Sequence, residues 1–219
     1  MSTGHRSLIW LVIVGWTTLG FRPYPGAHSY PVDNSSSANS KVFVVYTNAA
    51  DTVTNDLPTD DTLGAGTLTV SQIMDSVFTD YNSIGGSFLT LVDTSDSDYS
   101  VANAENRTLT IQFGNSFGNS TGEARPTWDG DSIVGCTITA RSSILDSAKE
   151  FVAIMTHEIG HCLGLDHPQE SNNAIMSYFR SEDMIRLQID DKMGITYLYP
   201  QDSEANKESP TLGLTCARK

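Results

Sequence analysis

Hydrophobic residues along this chain recur with two periods, and the switches between them outline the fold. Lys41 to Thr47 (KVFVVYT) is a run of β-branched and aromatic residues, which predicts a strand. From Thr69 the period lengthens. Val70, Ile73, Met74, Val77, Phe78 and Tyr81 form one apolar stripe at helical spacing, headed by the capping pair Thr69 and Gln72 and ended by Gly85 and Gly86. Phe88 to Val92 predicts a second strand. Thr108 to Phe113 predicts a third, in which Leu109, Ile111 and Phe113 alternate with polar neighbours, so one of its faces is core. Ser132 to Ala140 predicts a fourth. Ser147 to Glu150 reads as a capping box that opens a helix burying Phe151, Met155 and Ile159. Glu182 to Tyr199 contains a further helix, with Asp190 and Asp191 near its start, where carboxylates complement the helix dipole. Strands mixed with helices, without an internal repeat, predict an α+β fold.

The two ends lack this patterning. Residues 1 to 29 predict a secretory leader: His5 and Arg6, then an apolar run from Leu8 to Phe21, then small Ala27 and Ser29 before a cut at Tyr30. That run is shorter than the roughly 20 residues needed to cross a bilayer. Residues 30 to 40 predict a disordered linker, 41 to 200 one folded domain, and 201 to 219 a flexible tail. The expected mature protein is a secreted, soluble monomer.

Charge narrows the partners. The chain has a formal net charge of −13 at pH 7, and losing Arg6 and Arg22 with the leader makes it more acidic still. Nucleic acid and anionic membranes repel such a surface, so neither is expected as a partner.

The candidate chemistry lies in His157-Glu158-Ile159-Gly160-His161-Cys162-Leu163-Gly164-Leu165-Asp166-His167. On a helix, residues four apart share a face, so His157 and His161 can aim two imidazoles at one metal ion, with Glu158 beside the attacking water. Gly164 can adopt the left-handed conformation that ends a helix and returns His167 as a third ligand. Three protein ligands leave a fourth position open, as catalytic zinc requires. The chain's other two histidines, His5 and His28, fall in the expected leader.

This pattern, HExxHxxGxxH with Met176 downstream, resembles the metzincin clan of zinc endopeptidases, and within it the matrixins. The turn AIMSY at 174 to 178 and LQIDDKMGITYLYP at 187 to 200 carry the same resemblance. It implies a twisted mixed β-sheet with an active-site helix and a C-terminal helix below the cleft. It implies zinc on His157, His161 and His167, Met176 as an apolar floor under the metal, and Ser132 to Ala140 as the edge strand that pairs with an extended peptide. Matrixin loops often hold calcium, and the run Asp93 to Asp98 could do so or be a solvated acidic loop, as could Asp129 and Asp131. No cysteine precedes Cys136, so the family's usual latency device, a prodomain cysteine on the metal, is missing. Tyr178 stands where animal-type matrixins more often carry proline. Its hydroxyl could donate to a developing oxyanion, or its ring could line the substrate pocket.

Cys162 falls on the same helix side as Phe151, Met155 and Ile159, towards the strand carrying Cys136. The pair forms either a disulfide or two buried thiols, with Cys216 left over. The expected function is a secreted zinc endopeptidase acting on proteins or peptides, with Glu158 as general base. The alternatives are a binding protein on a metalloprotease scaffold and a zinc hydrolase of non-peptide amides.

Overall fold

The computed structural model describes residues 21–26, 28–32, 40–94, 107–114, 120–168 and 171–201. In chain order its elements are β1 (Arg22–Pro23), β2 (Lys41–Tyr46), β3 (Thr52–Val53), β4 (Leu68–Thr69), α1 (Val70–Asn82), β5 (Thr90–Asp93) and β6 (Thr108–Gly114). There follow β7 (Gly122–Asp129), β8 (Ser132–Arg141), a 3-10 turn (Ser142–Asp146), α2 (Ala148–Cys162), β9 (Leu165–Asp166) and α3 (Ile189–Leu198). A mixed sheet with three helices makes this an α+β protein.

The central sheet runs β5-β2-β6-β8-β7. Four strands are parallel, and β7 alone is antiparallel to its neighbour. Strand β6 follows the alternation of its sequence, with Leu109 and Ile111 fully buried, whereas β2 buries Val42, Phe43 and Val44 in succession and so is covered on both faces. Helix α1 carries the full reciprocal cap, with Thr69 Oγ1 accepting from the Gln72 amide and Gln72 Oε1 accepting from the Thr69 amide. Its last turn reaches α2, where the Tyr81 hydroxyl donates to the Thr156 carbonyl at 2.6 Å in the interior.

The edge of the sheet is not where the sequence placed it. Ser132 to Ala140 does form a strand, β8, but it lies inside the sheet between β6 and β7. The edge strand is β7, eight residues (GEARPTWD) that the hydrophobic pattern did not predict. Mostly exposed or half-buried, it has no reason to alternate apolar with polar, and Pro126 is tolerated because an edge has one side without a ladder partner.

Ordered packing also begins upstream of Lys41. Phe21 is buried, with its ring 5.7 Å from that of Tyr197 on α3. Strand β1 pairs with β9, the Tyr24 amide donates to the Gly164 carbonyl at 2.9 Å, and the Ile133 amide donates to the Ser29 carbonyl at 2.8 Å. The described residues between Phe21 and Val32 thus pack on the domain in a stretch expected from sequence to be leader and linker. Residues 1–20 and 202–219 lie outside the described residues, as do Ser35 to Ser37 of the expected linker.

Helix α2 crosses under the sheet with Phe151, Met155, Ile159 and Cys162 fully buried. Cys162 is bonded to Cys136 on β8, joining the helix to the sheet as a disulfide. Of the capping box expected at its start only half is present: Ser147 Oγ accepts from the Glu150 amide at 3.0 Å and donates to Asp56 at 2.6 Å. Asp56 also accepts from the Lys149 amide, so a distant loop supplies the other half of the cap.

Candidate active site

Helix α2 ends at the residues that matter. After Cys162 the chain turns at Gly164, whose φ of +103° is costly for any residue with a Cβ, and a Cβ there would also collide with the His28 carbonyl. That turn brings His167 back towards His157 and His161. The three Nε2 atoms form a nearly equilateral triangle with every edge 3.1 Å. Nitrogens about 2.0–2.1 Å from one tetrahedral ion stand roughly 3.3 Å apart, so the triangle fits a single zinc.

The opposite ring nitrogens explain why the Nε2 atoms converge. His157 Nδ1 donates to the Ile175 carbonyl and His161 Nδ1 to the Leu165 carbonyl, each at 2.8 Å. This fixes the tautomer, leaving Nε2 an unprotonated lone pair in both rings. Lone pairs facing one another across 3.1 Å repel unless a cation stands between them. Burial adds to this by disfavouring imidazolium, lowering the pKa of His157 to about 3 and of His161 to about 4, with the neighbouring histidines acting the same way. His167 is also lowered by burial, opposed by Asp166. Asp166 accepts from the His167 amide at 2.8 Å and pairs with Arg22 at 3.3 Å, so the upstream segment braces the third histidine. Among the described residues these three histidines are the one cluster suited to hold a metal ion.

Glu158 lies beside them, buried against the edge strand. Burial raises its pKa to about 7, partly offset by a hydrogen bond from the Ala124 amide of β7. A carboxyl titrating near neutrality can both take and return a proton. Below the triangle, Met176 packs so closely on Gly160 that a Cβ there would meet its sulfur. The turn holding Met176 is fixed by Asp191, whose sequence position points only to the helix dipole. Its buried carboxylate accepts from the amides of Ile175 at 2.8 Å, Met176 at 3.3 Å and Gln188 at 2.8 Å. The signal was present as an acid at the third position of a helix, but not its target.

Tyr178 is 68% exposed and stacks on His167, with ring centroids 3.7 Å apart and planes 21° apart. Tyr24, from the stretch expected to be leader, reaches the other side: its hydroxyl oxygen lies 3.3 Å from His161 Nδ1, and its ring meets Trp128 edge-on. The cleft has a volume of about 530 Å³, with β7 residues Gly122 to Ala124 along one rim and Tyr178 and Arg180 along the other. Of the acidic run considered for calcium, Asp93 accepts from the Tyr46 hydroxyl at 2.6 Å, and Asp96 and Asp98 lie outside the described residues. Asp129 and Asp131 flank the turn between β7 and β8.

Three convergent imidazoles, an adjacent buried carboxyl and a cleft beside a strand edge define a metal-dependent hydrolase site. The matrixin family model matches residues 87–200, more than half of the sequence, and the chain belongs to that family of metalloendopeptidases. Over 51 residues it is 41% identical to matrix metalloproteinase-B of Caenorhabditis elegans, a match covering 22% of this chain and 10% of that protein. The chain thus spans about a tenth of the length of that relative. The solved structure of the GM1-bound form of the ECX AB5 holotoxin aligns with a TM-score of 0.48 at 13% identity, over 84% of this chain and 95% of that one. That likeness is too distant to bear on fold or function.

Proposed function

We propose that the protein is a secreted zinc endopeptidase, the reading carried by the 3.1 Å triangle of Nε2 atoms beside Glu158. Zinc held by His157, His161 and His167 would supply Lewis acidity, making water acidic enough to ionise near neutral pH and polarising the scissile carbonyl. Glu158 takes the proton from the attacking water and passes it to the departing amine, a double role suited to its raised pKa. The edge strand β7 offers main-chain groups to an extended peptide, which aligns the bond to be cut over Glu158. That geometry supports protein or peptide substrates. A casein assay with and without chelator tests the reading: chelator-sensitive cleavage supports it, and cleavage indifferent to chelator refutes it.

Export is supported by the Cys136–Cys162 disulfide, a bond favoured in oxidising compartments. Burial of Phe21 supports a leader shorter than residues 1–29: Thr18 and Gly20 form a small-x-small pair just before it, which would place the cut after Gly20. N-terminal sequencing of the secreted protein should begin at Phe21; a start at Tyr30 would restore the longer leader.

A further inference from the structure

One cation in the cleft, Arg180, has no counter-ion among the described residues. Arg180 is half-buried and lines the cleft that also holds His157 and Tyr178. Its Nη1 donates to the Met184 carbonyl at 3.1 Å. Nη2 and Nε have no acceptor, and no carboxylate stands within 4.0 Å, among the described residues. Arg186, a few residues on, shows the contrast: its guanidinium is bound to both Asp61 and Asp80. Burial lowers the pKa of the Arg180 guanidinium, and the exposed Glu150 opposes this only in part. Leaving a partly desolvated guanidinium unpaired is costly, and a ligand carboxylate is the group that would relieve it through its planar fork of donors.

Resting on the peptidase reading, we propose that Arg180 is a specificity-determining residue. It selects peptides that carry a glutamate or aspartate side chain within two residues of the bond to be cut. The preference must be local. The chain's net charge of −13 repels acidic peptides at a distance, and Glu123 on the opposite rim is already engaged by Arg125 at 2.9 Å. Arginine stays charged at every working pH, so the selection does not depend on titration.

The test uses quenched fluorescent peptides with glutamate or glutamine at each of the two positions on either side of the cleaved bond. With zinc-loaded wild-type protein, glutamate should raise kcat/KM about ten-fold over glutamine at one of these positions. Arg180→Gln should bring that ratio to about one, and Arg180→Lys, which keeps the charge but not the planar fork, should leave it between one and the wild-type value. An arginine that merely holds the loop through Met184 would lower turnover of all peptides equally and leave the ratio unchanged, which overturns the proposal. Binding of the same labelled peptides to zinc-loaded Glu158→Ala, read by fluorescence anisotropy, separates the two readings. Glutamate-selective binding without turnover by the wild type would refute the peptidase and keep the selectivity. Turnover without selectivity would refute the role of Arg180 alone, and neither binding nor turnover would refute both.

Discussion

The carboxylate of Asp191 accepts a hydrogen bond from the Ile175 amide at 2.8 Å, and the carbonyl of the same Ile175 accepts one from His157 Nδ1 at 2.8 Å. One residue of the methionine turn therefore links the start of α3 to a metal ligand. Deleting the carboxylate leaves three amides without their acceptor and frees the turn that orients the ring. Asp191→Ala should cost about 3 kcal/mol of stability and weaken zinc binding about ten-fold or more. Chemical denaturation and competition with a zinc chelator measure the two effects. Unchanged zinc affinity would show that His157 is oriented without the turn.

That link could not be read from the sequence, and the reason generalises to this chain. Periodicity reported what is buried: the Val70 to Tyr81 stripe, the alternation in Thr108 to Phe113, the apolar side of α2. Fixed spacing reported the three histidines and Glu158, because helix geometry and one left-handed glycine leave little freedom between them. Strand β7 escaped because an edge needs no apolar alternation. The segment Phe21 to Val32 escaped because its contacts, Phe21 with Tyr197 and Ser29 with Ile133, depend on tertiary placement. Asp191 and Arg180 carried local signals, a helix start and a loop cation, whose partners lie elsewhere in the chain.

The disulfide between Cys136 and Cys162 closes a loop 26 residues apart in sequence and ties the ligand-bearing helix to the sheet. Replacing both cysteines by serine should lower stability by about 3 kcal/mol, measured by denaturant unfolding. Thiol titration of the denatured, unreduced protein should find one free thiol, that of Cys216. Three would contradict the bridge.

Tyr178 stacks on His167 through its ring, so its hydroxyl can be removed while the stack stays. If the phenol donates to the developing oxyanion, Tyr178→Phe lowers kcat roughly ten-fold with KM little changed. Steady-state kinetics on one peptide decide. An unchanged kcat would reduce the residue to wall and stacking partner.

Glu158 is held at about 7 chiefly by burial. The base is active when ionised, so kcat/KM should rise with pH along an acid limb set by this group. Zinc's positive charge favours the carboxylate, placing that limb below 7, and removing the metal should return the Glu158 titration to about 7. Carboxyl NMR of the metal-free protein checks this. A metal-free titration at the ordinary value of 4.5 would contradict the burial argument.

The central claim, that three histidines hold zinc while Glu158 moves the proton, separates binding from chemistry at a single residue. The most direct measurement is peptide hydrolysis by wild type and Glu158→Ala, each assayed beside its measured zinc content. Both should carry one zinc per chain, with the variant slower by at least about 100-fold. Equal turnover by the two, or a fully zinc-loaded wild type that cuts no peptide, would contradict the account.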